Sequence, residues 1–200
     1  LEACGSNLQL SEKRIMEKRK IIVLGVTGSI AAHKAVDLCS LLTKGGADVH
    51  VVMTKDAQQF ITPLPFKTLS KNPVVMSLYD DEEGWCPTHI RLADTADLLL
   101  IAPATANIIA KLAGGLADDA LGCIALALSL DAGLIIAPAL NGQMWGHPAT
   151  QANMATLTER GAKIVGPADG DLACGYEGLG RLAPVEEIAT TALQAVGLVS

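Results

Sequence analysis

Apolar and polar positions follow two different periods along the chain, and these periods predict strands that alternate with helices. Short continuous apolar runs predict five buried strands, at 20–26, 47–54, 96–104, 133–139 and 162–166. Apolar residues spaced three and four apart predict the intervening helices, at 29–46, 107–115, 119–130 and 184–199. The segment 144–161 is expected to be helical after its proline, Pro148, and to end at a glycine. Strands alternating with helices imply right-handed crossovers and a parallel sheet. We therefore predict a single α/β domain on a doubly wound parallel sheet of the Rossmann or flavodoxin-like kind.

Two segments do not follow this alternation. Residues 1–19 are polar and predict a flexible or partly helical N-terminal extension, so the folded domain is expected to span 20–200. Residues 55–88 contain Pro63, Pro65 and Pro73 and predict loops with short helices.

Composition and charge restrict the classes of partner. Half of the residues are hydrophobic but only 3% are aromatic, which suits an aliphatic core of helices packed on a parallel sheet. A net charge of −6 offers no electrostatic footprint for nucleic acid or an anionic membrane. No apolar run reaches the roughly 18 residues of a membrane span. The five cysteines are scattered, without metal-ligand spacing. We expect a soluble cytoplasmic protein with no metal site.

Polar residues gather where predicted strands end. The strands run into the sequences GVTGS (25–29), VVMTKD (51–56), IAPATAN (101–107) and PALNGQMW (138–145). Ligands of doubly wound sheets bind in the crevice beyond the carboxyl ends of the strands. The four loops are therefore expected to converge, with the asparagine and the tryptophan of PALNGQMW facing a site.

The first of these loops has features of an anion site. Its glycines allow close backbone approach, Ser29 can cap the following helix, and free amides there favour an anion, although an ordinary tight turn has the same features. A dinucleotide is disfavoured, because GxGxxG is absent and the second strand ends in Thr54-Lys55 instead of an acidic residue. A small anion site with hydroxyls at Thr54 and Thr105 would suit a mononucleotide.

Two further segments carry candidate chemistry. In CPTHIRLAD, Thr88 is expected to cap a short helix, with the His89 imidazole in its first turn. This histidine either reaches the crevice or belongs to an ordinary surface helix. Residues 169–184 are too rich in glycine for a core element and predict a long loop containing Cys174. That thiol is either a chance exposed cysteine or a reactive group on a flap beside the crevice.

With these residues together, the chain resembles the homo-oligomeric flavin-containing cysteine decarboxylases over about residues 20–195. The resemblance rests on four ordered motifs: GSIAAHK (28–34), THIRLADTADLLLIAPATANIIAKLAGGLADD (88–119), PALNGQMW (138–145) and ACGYEGLGRL (173–182). It implies that the loop 169–184 is a substrate clamp, which we call the clamp loop.

The resemblance also implies roles for individual residues. The FMN-binding set would be Gly28, Ser29, Thr54, Thr105, Ala106, Asn107 and Ala139. The active-site histidine would be His89, and Cys174 would be the reactive cysteine of the clamp loop. The substrate would contact Asn141, Met144, Ala173 and Arg181. Leu140 and Leu182 stand where the family commonly has methionine, an exchange that roughly preserves volume.

The implied reaction is the FMN-dependent decarboxylation of 4'-phospho-N-pantothenoylcysteine to 4'-phosphopantetheine in coenzyme A biosynthesis. The resemblance further implies a trimer or dodecamer and a separate phosphopantothenoylcysteine synthetase as partner, since no synthetase half follows in these 200 residues. Two alternatives stay open. One is a decarboxylase of C-terminal peptidyl cysteines in lantibiotic-type maturation, and the other is a non-catalytic flavin-binding regulatory subunit.

Overall fold

The computed structural model describes residues 19–79, 86–170 and 178–199, and its centre is one parallel sheet. The five strands are β1 Ile21–Val26, β2 Asp48–Met53, β3 Leu98–Ala104, β4 Gly133–Pro138 and β5 Lys163–Ile164. Their order across the sheet is β2-β1-β3-β4-β5, and every neighbouring pair is parallel. This is the flavodoxin-like order of doubly wound sheets. The predicted fold class is therefore confirmed.

Helices connect the strands and cover both faces of the sheet. In the described part of the chain the α-helices are α1 Lys34–Lys44, α2 Leu64–Ser70, α3 Thr88–Thr95, α4 Ala106–Gly114, α5 Ala120–Ala127, α6 Gly142–Gly146, α7 Pro148–Glu159 and α8 Val185–Ala195. Two 3-10 helices, Ile30–His33 and Ala57–Gln59, follow β1 and β2. None of these helices is long and apolar enough to cross a bilayer.

The sheet separates two aliphatic clusters. Side chains alternate along β3, so Leu98 and Leu100 pack on one face with α1 and α8. Leu99 and Ile101 pack on the other face with α3, α4, α5 and α7. All seven β3 residues are buried, as expected for a central parallel strand covered by helices on both sides.

Two predicted helices differ in detail from the observed ones. The helix predicted after Pro148 is α7, but a short helix that was not predicted, α6, precedes it and is separated from it by His147, whose backbone is extended (φ −63°, ψ 132°). The reason is Pro148, because the residue before a proline is disfavoured in helical conformation. The predicted helix at 29–46 begins as the 3-10 turn Ile30–His33 and becomes α-helical only at Lys34.

Candidate functional site

A cavity of about 440 Å³ lies at the carboxyl edge of the sheet. Its walls come from the loops after β1, β3 and β4 and from the C-terminal end of the clamp loop. Most of the predicted binding residues that the structure describes meet there: Gly28, Ser29, Thr105, Ala106, Ala139, Asn141, Met144 and Arg181. The expected convergence of loops therefore brings the anion-loop residues and the amide of PALNGQMW into one chamber.

The loop after β1 is built for close backbone contact. A Cβ atom at Gly28 would clash with the Cβ of Asp56, so the loop after β2 fits against it only when residue 28 is glycine. Ser29 caps the 3-10 helix by accepting from the Ala31 amide at 3.3 Å, and its hydroxyl lies 3.4 Å from the Ala139 carbonyl oxygen. Among the described residues, the Gly28 and Ile30 amides have no hydrogen-bond partner, so they are available to an anion.

A buried hydroxyl that we did not single out in the sequence links two of these loops. Thr27 is 2% exposed; its Oγ1 donates to the Pro103 carbonyl at 2.6 Å and accepts from the Thr105 amide at 3.2 Å. Thr105 in turn caps α4 by accepting from the Ile108 amide. The sequence signal was a threonine at the end of an otherwise apolar strand, directly before Gly28. Thr27 thus fixes where Thr105 sits in the cavity wall.

Two predicted cofactor ligands lie outside the cavity wall. Thr54 follows β2, and its hydroxyl accepts from the Ala57 amide at the start of a 3-10 helix. Asn107 is exposed in the first turn of α4. Neither residue lines the cavity of the single chain, and their roles stay predictions.

The PALNGQMW loop presents its amide in a defined orientation. Asn141 caps α6, because its Oδ1 accepts from the Gln143 amide at 2.8 Å. This bond uses the side-chain oxygen and fixes the orientation of the amide group at the cavity wall. Trp145 does not line the cavity. Its half-buried ring packs on the second core cluster, which is the one that contains Leu99 and Ile101. The expectation that this tryptophan faces the site is wrong, because its ring anchors the loop instead.

The base of the clamp loop is paired and docked. Ala168 and Arg181 exchange two backbone hydrogen bonds, of 2.7 and 3.1 Å, and Gly170 and Gly178 exchange two more. The Leu140 amide donates a hydrogen bond to the Gly180 carbonyl oxygen at 2.9 Å. The clamp base thus rests directly on the loop that carries Asn141. Ala173 and Cys174 lie outside the described residues, so their roles also stay predictions.

His89 lies in the first turn of α3, as expected, but the cap of that helix is Pro87 and Thr88 is already helical. The imidazole is partly buried, and its Nδ1 is a buried atom with no hydrogen-bond partner in the described part of the chain. His89 does not line the cavity of its own chain. A buried ring nitrogen without a partner needs an explanation, and a hydrogen bond to a group outside the chain is one such explanation.

Two of the three described thiols, Cys39 and Cys123, are poor candidates for the reactive cysteine. Burial raises the pKa of Cys39 to about 11, and burial followed by the charges of Asp119 and Asp118 raises that of Cys123. A raised pKa lowers the thiolate fraction and therefore the reactivity. Asp119 caps α5, as expected, whereas Asp118 makes no cap and pairs with Lys111 at 2.6 Å.

The contact of Gly180 with Leu140 yields a test by matched substitutions. Gly180 and Gly178 both have positive φ, of 155° and 146°, so alanine is strained at either position. A Cβ at Gly180 would clash with the Leu140 carbonyl oxygen, whereas a Cβ at Gly178 would meet no atom of the described residues within 4 Å. We expect Gly180→Ala to lower the free energy of unfolding by about 1–3 kcal/mol more than Gly178→Ala does, in urea denaturation. Equal losses would contradict the docking of the clamp base on Leu140.

Comparison with known proteins matches most of this chain to one family. The family model described as Flavoprotein matches residues 9–197. The coenzyme A biosynthesis bifunctional protein CoaBC of Vibrio vulnificus is 48% identical over 171 residues, covering 85% of this chain and 42% of that protein. The probable phosphopantothenoylcysteine decarboxylase of Streptococcus mutans is 47% identical over 169 residues, covering 84% and 94%. The chain thus spans less than half of the length of the bifunctional relative and nearly all of the other.

Solved structures agree with the sequence matches. A cysteine-to-serine mutant of PPC decarboxylase complexed with pantothenoylaminoethenethiol aligns with a TM-score of 0.79 at 34% identity, covering 87% of this chain and 96% of that chain. The FMN-dependent cysteine decarboxylase SpaF aligns with a TM-score of 0.73 at 33% identity, covering 88% and 97%. The extent of the family match and the identity to the relatives lead to one conclusion: this chain belongs to the Flavoprotein family.

Proposed function

We propose that this protein is an FMN-dependent decarboxylase that converts 4'-phospho-N-pantothenoylcysteine into 4'-phosphopantetheine in the cytoplasm, as a step of coenzyme A biosynthesis. The observation that carries the proposal is the single cavity in which the Gly28-Ser29 anion loop, the Asn141 amide and the clamp base meet. The Streptococcus mutans relative, which is named for this decarboxylase, supports the choice of substrate.

The residues of the cavity fit FMN. One backbone loop with available amides, at Gly28 and Ile30, suits one phosphate group, and the Ser29 hydroxyl lies beside it. The wall beyond is mostly apolar, from Ala106, Ala139 and Leu140, which suits a planar ring system. FMN, when bound, would take a hydride from the carbon that bears the thiol and return it later, so that no net oxidation results.

Asn141 would hold the cysteinyl carboxylate. The capping bond to Gln143 keeps its amide group in place at the cavity wall. A neutral donor orients the carboxylate without stabilising its charge strongly. That matters because the charge is lost as CO2 leaves, and a cation at this position would favour the ground state over the transition state.

His89 and Cys174 would handle protons. We assign to His89 the role of base or electrostatic anchor near the thiol and carboxylate. We assign to Cys174 the protonation of the enethiolate that remains after CO2 loss. A thiol, with an ordinary pKa of about 8.5, can give up a proton near neutral pH far more readily than an alcohol can.

We also propose self-association as a trimer, or as a dodecamer built from four trimers. Leu126 and Leu130 are 65% and 103% exposed near the end of α5, a helix that is apolar on most sides. A helix of that composition is normally covered. The helix that carries His89, α3, packs against α5, so a partner covering this surface would meet the region of His89. We expect light scattering to give a multiple of three, and a fully active monomer would contradict this arrangement.

A separate phosphopantothenoylcysteine synthetase is the proposed protein partner. The Vibrio vulnificus relative is named as bifunctional, and this chain matches 42% of it. Pull-down of the purified synthetase by this chain would support the pairing, and the absence of any association at micromolar concentrations would contradict it.

The reaction can be tested with two substrates. We expect the purified protein to be yellow, to release FMN on denaturation, and to form CO2 and 4'-phosphopantetheine from 4'-phospho-N-pantothenoylcysteine. A peptide ending in cysteine serves as the second substrate and should react more slowly. Faster reaction of the peptide would favour the lantibiotic-type activity. A protein that binds FMN but turns over neither substrate would be a regulatory subunit.

The two proton-handling residues can be separated by their products. Cys174→Ser should bind FMN and substrate and release CO2, but then stop, with the flavin reduced and an ethenethiol product accumulating. The solved cysteine-to-serine mutant of PPC decarboxylase holds an ethenethiol of this kind. His89→Asn should stop earlier, with the flavin oxidised and no CO2. Mass spectrometry and flavin absorbance distinguish the two variants.

The matched control is Cys86→Ser, since Cys86 is exposed and lies outside the cavity wall. It should leave the rate and the product unchanged. If Cys174→Ser forms the normal aminethiol at the wild-type rate, the proton-donor role of Cys174 is wrong.

A further inference from the structure

Two basic side chains stand on a wall that the main cavity shares with a second one. The second cavity, of about 510 Å³, lies against the same stretch of chain. The residues common to both cavities are His33, Lys34, Arg181 and Leu182. Lys34 is the first residue of α1, and Arg181 belongs to the paired base of the clamp loop. The shared wall therefore joins the anion-loop side of the site to the clamp side.

Within the described ranges, these two cations have no carboxylate partner. Lys20 pairs with Asp97, and Lys111 pairs with Asp118 and Asp119. By contrast, neither Lys34 nor Arg181 has a salt bridge within 4.0 Å anywhere in the described ranges. Lys34 is only partly exposed, and it lines both cavities. Lys34 and Arg181 come from different elements and line the same cavities. Together they provide the positive charge that binding of a dianion needs.

We propose that Lys34, together with Arg181, binds the phosphate of the substrate and makes the enzyme select the phosphorylated pantothenoyl compound over a peptide. This inference rests on the proposed function and deepens it. The substrate carries its carboxylate at one end and its phosphate at the other. With the carboxylate at Asn141 in the main cavity, the phosphate end has to leave that cavity, and the shared wall is where the two cavities meet.

The other charged groups that line the cavities favour the shared wall as the position of a phosphate. Asp37, Asp169 and Glu186 line only the second cavity, where they would repel a dianion. His33 Nδ1 lies 2.7 Å from the Ile30 carbonyl oxygen, so this ring is engaged with its own turn. The FMN phosphate already has the amides at Gly28 and Ile30, and Gly28 and Ser29 line only the main cavity. Lys34 and Arg181 are thus left for the second phosphate, which belongs to the substrate.

The test compares a phosphorylated substrate with its unphosphorylated analogue. Lys34→Met removes the charge and keeps much of the side-chain length, and Lys44→Met is the control, at the exposed far end of the same helix. For 4'-phospho-N-pantothenoylcysteine we expect Lys34→Met to raise KM by about 10- to 100-fold with little change in kcat. For N-pantothenoylcysteine, KM and kcat should stay within about twofold of the wild-type values. Lys44→Met should match the wild type on both substrates.

A binding measurement separates this inference from the proposed reaction. Calorimetry with 4'-phosphopantothenate and pantothenate, on the FMN-loaded wild type and Lys34→Met, reports the phosphate subsite without turnover. Tighter binding of the phosphorylated probe that disappears in Lys34→Met supports the subsite, even if no decarboxylation is found. Equal loss of activity on both substrates, or loss of FMN from Lys34→Met, would assign Lys34 to the flavin and overturn the proposal. Unchanged selectivity for the phosphorylated compound would overturn it as well.

Discussion

The hydrogen bonds of one buried hydroxyl hold the site together. Parallel neighbours β1 and β3 end at the same edge of the sheet, but nothing in strand pairing alone fixes the loops beyond that edge. Thr27 does so by donating to the Pro103 carbonyl and accepting from the Thr105 amide. In a buried setting such bonds are costly to leave unmade, by about 1–3 kcal/mol for each unsatisfied group. The spacing of Ser29 and Thr105 across the cavity therefore depends on Thr27.

The second dependency runs from the core to the clamp. Trp145 packs on the second core cluster and anchors the loop that carries Asn141. The Leu140 amide in that loop donates to Gly180, and the clamp base is paired from there to Ala168. A substrate carboxylate at Asn141 and a phosphate at Arg181 would therefore bind to elements that are hydrogen-bonded to one another. Such coupling favours a site whose two ends keep a constant separation.

The sequence predicted the parts of this molecule that depend on local pattern. The strands at 96–104 and 133–139 were found from apolar runs, because both are central in a sheet covered on two faces. The start of α7 at Pro148 was also predicted, because the residue before a proline is disfavoured in helical conformation. The direction of Trp145, the place of His89 outside the cavity and the shared wall at Lys34 were not predicted. Each depends on which neighbour packs beside a side chain, and no local spacing encodes that.

The capping bond of Asn141 has a consequence for how the family can diverge. Aspartate caps helices as well as asparagine does, so exchanging the amide for a carboxylate would preserve α6 and the loop that rests on it. The same exchange would place a negative charge where we propose that a substrate carboxylate binds. Replacing the NH2 group of residue 141 with an oxygen would therefore change the chemistry of the site and leave the fold unchanged. A lineage could lose the reaction there in a single step and keep an intact flavin-binding scaffold for other uses.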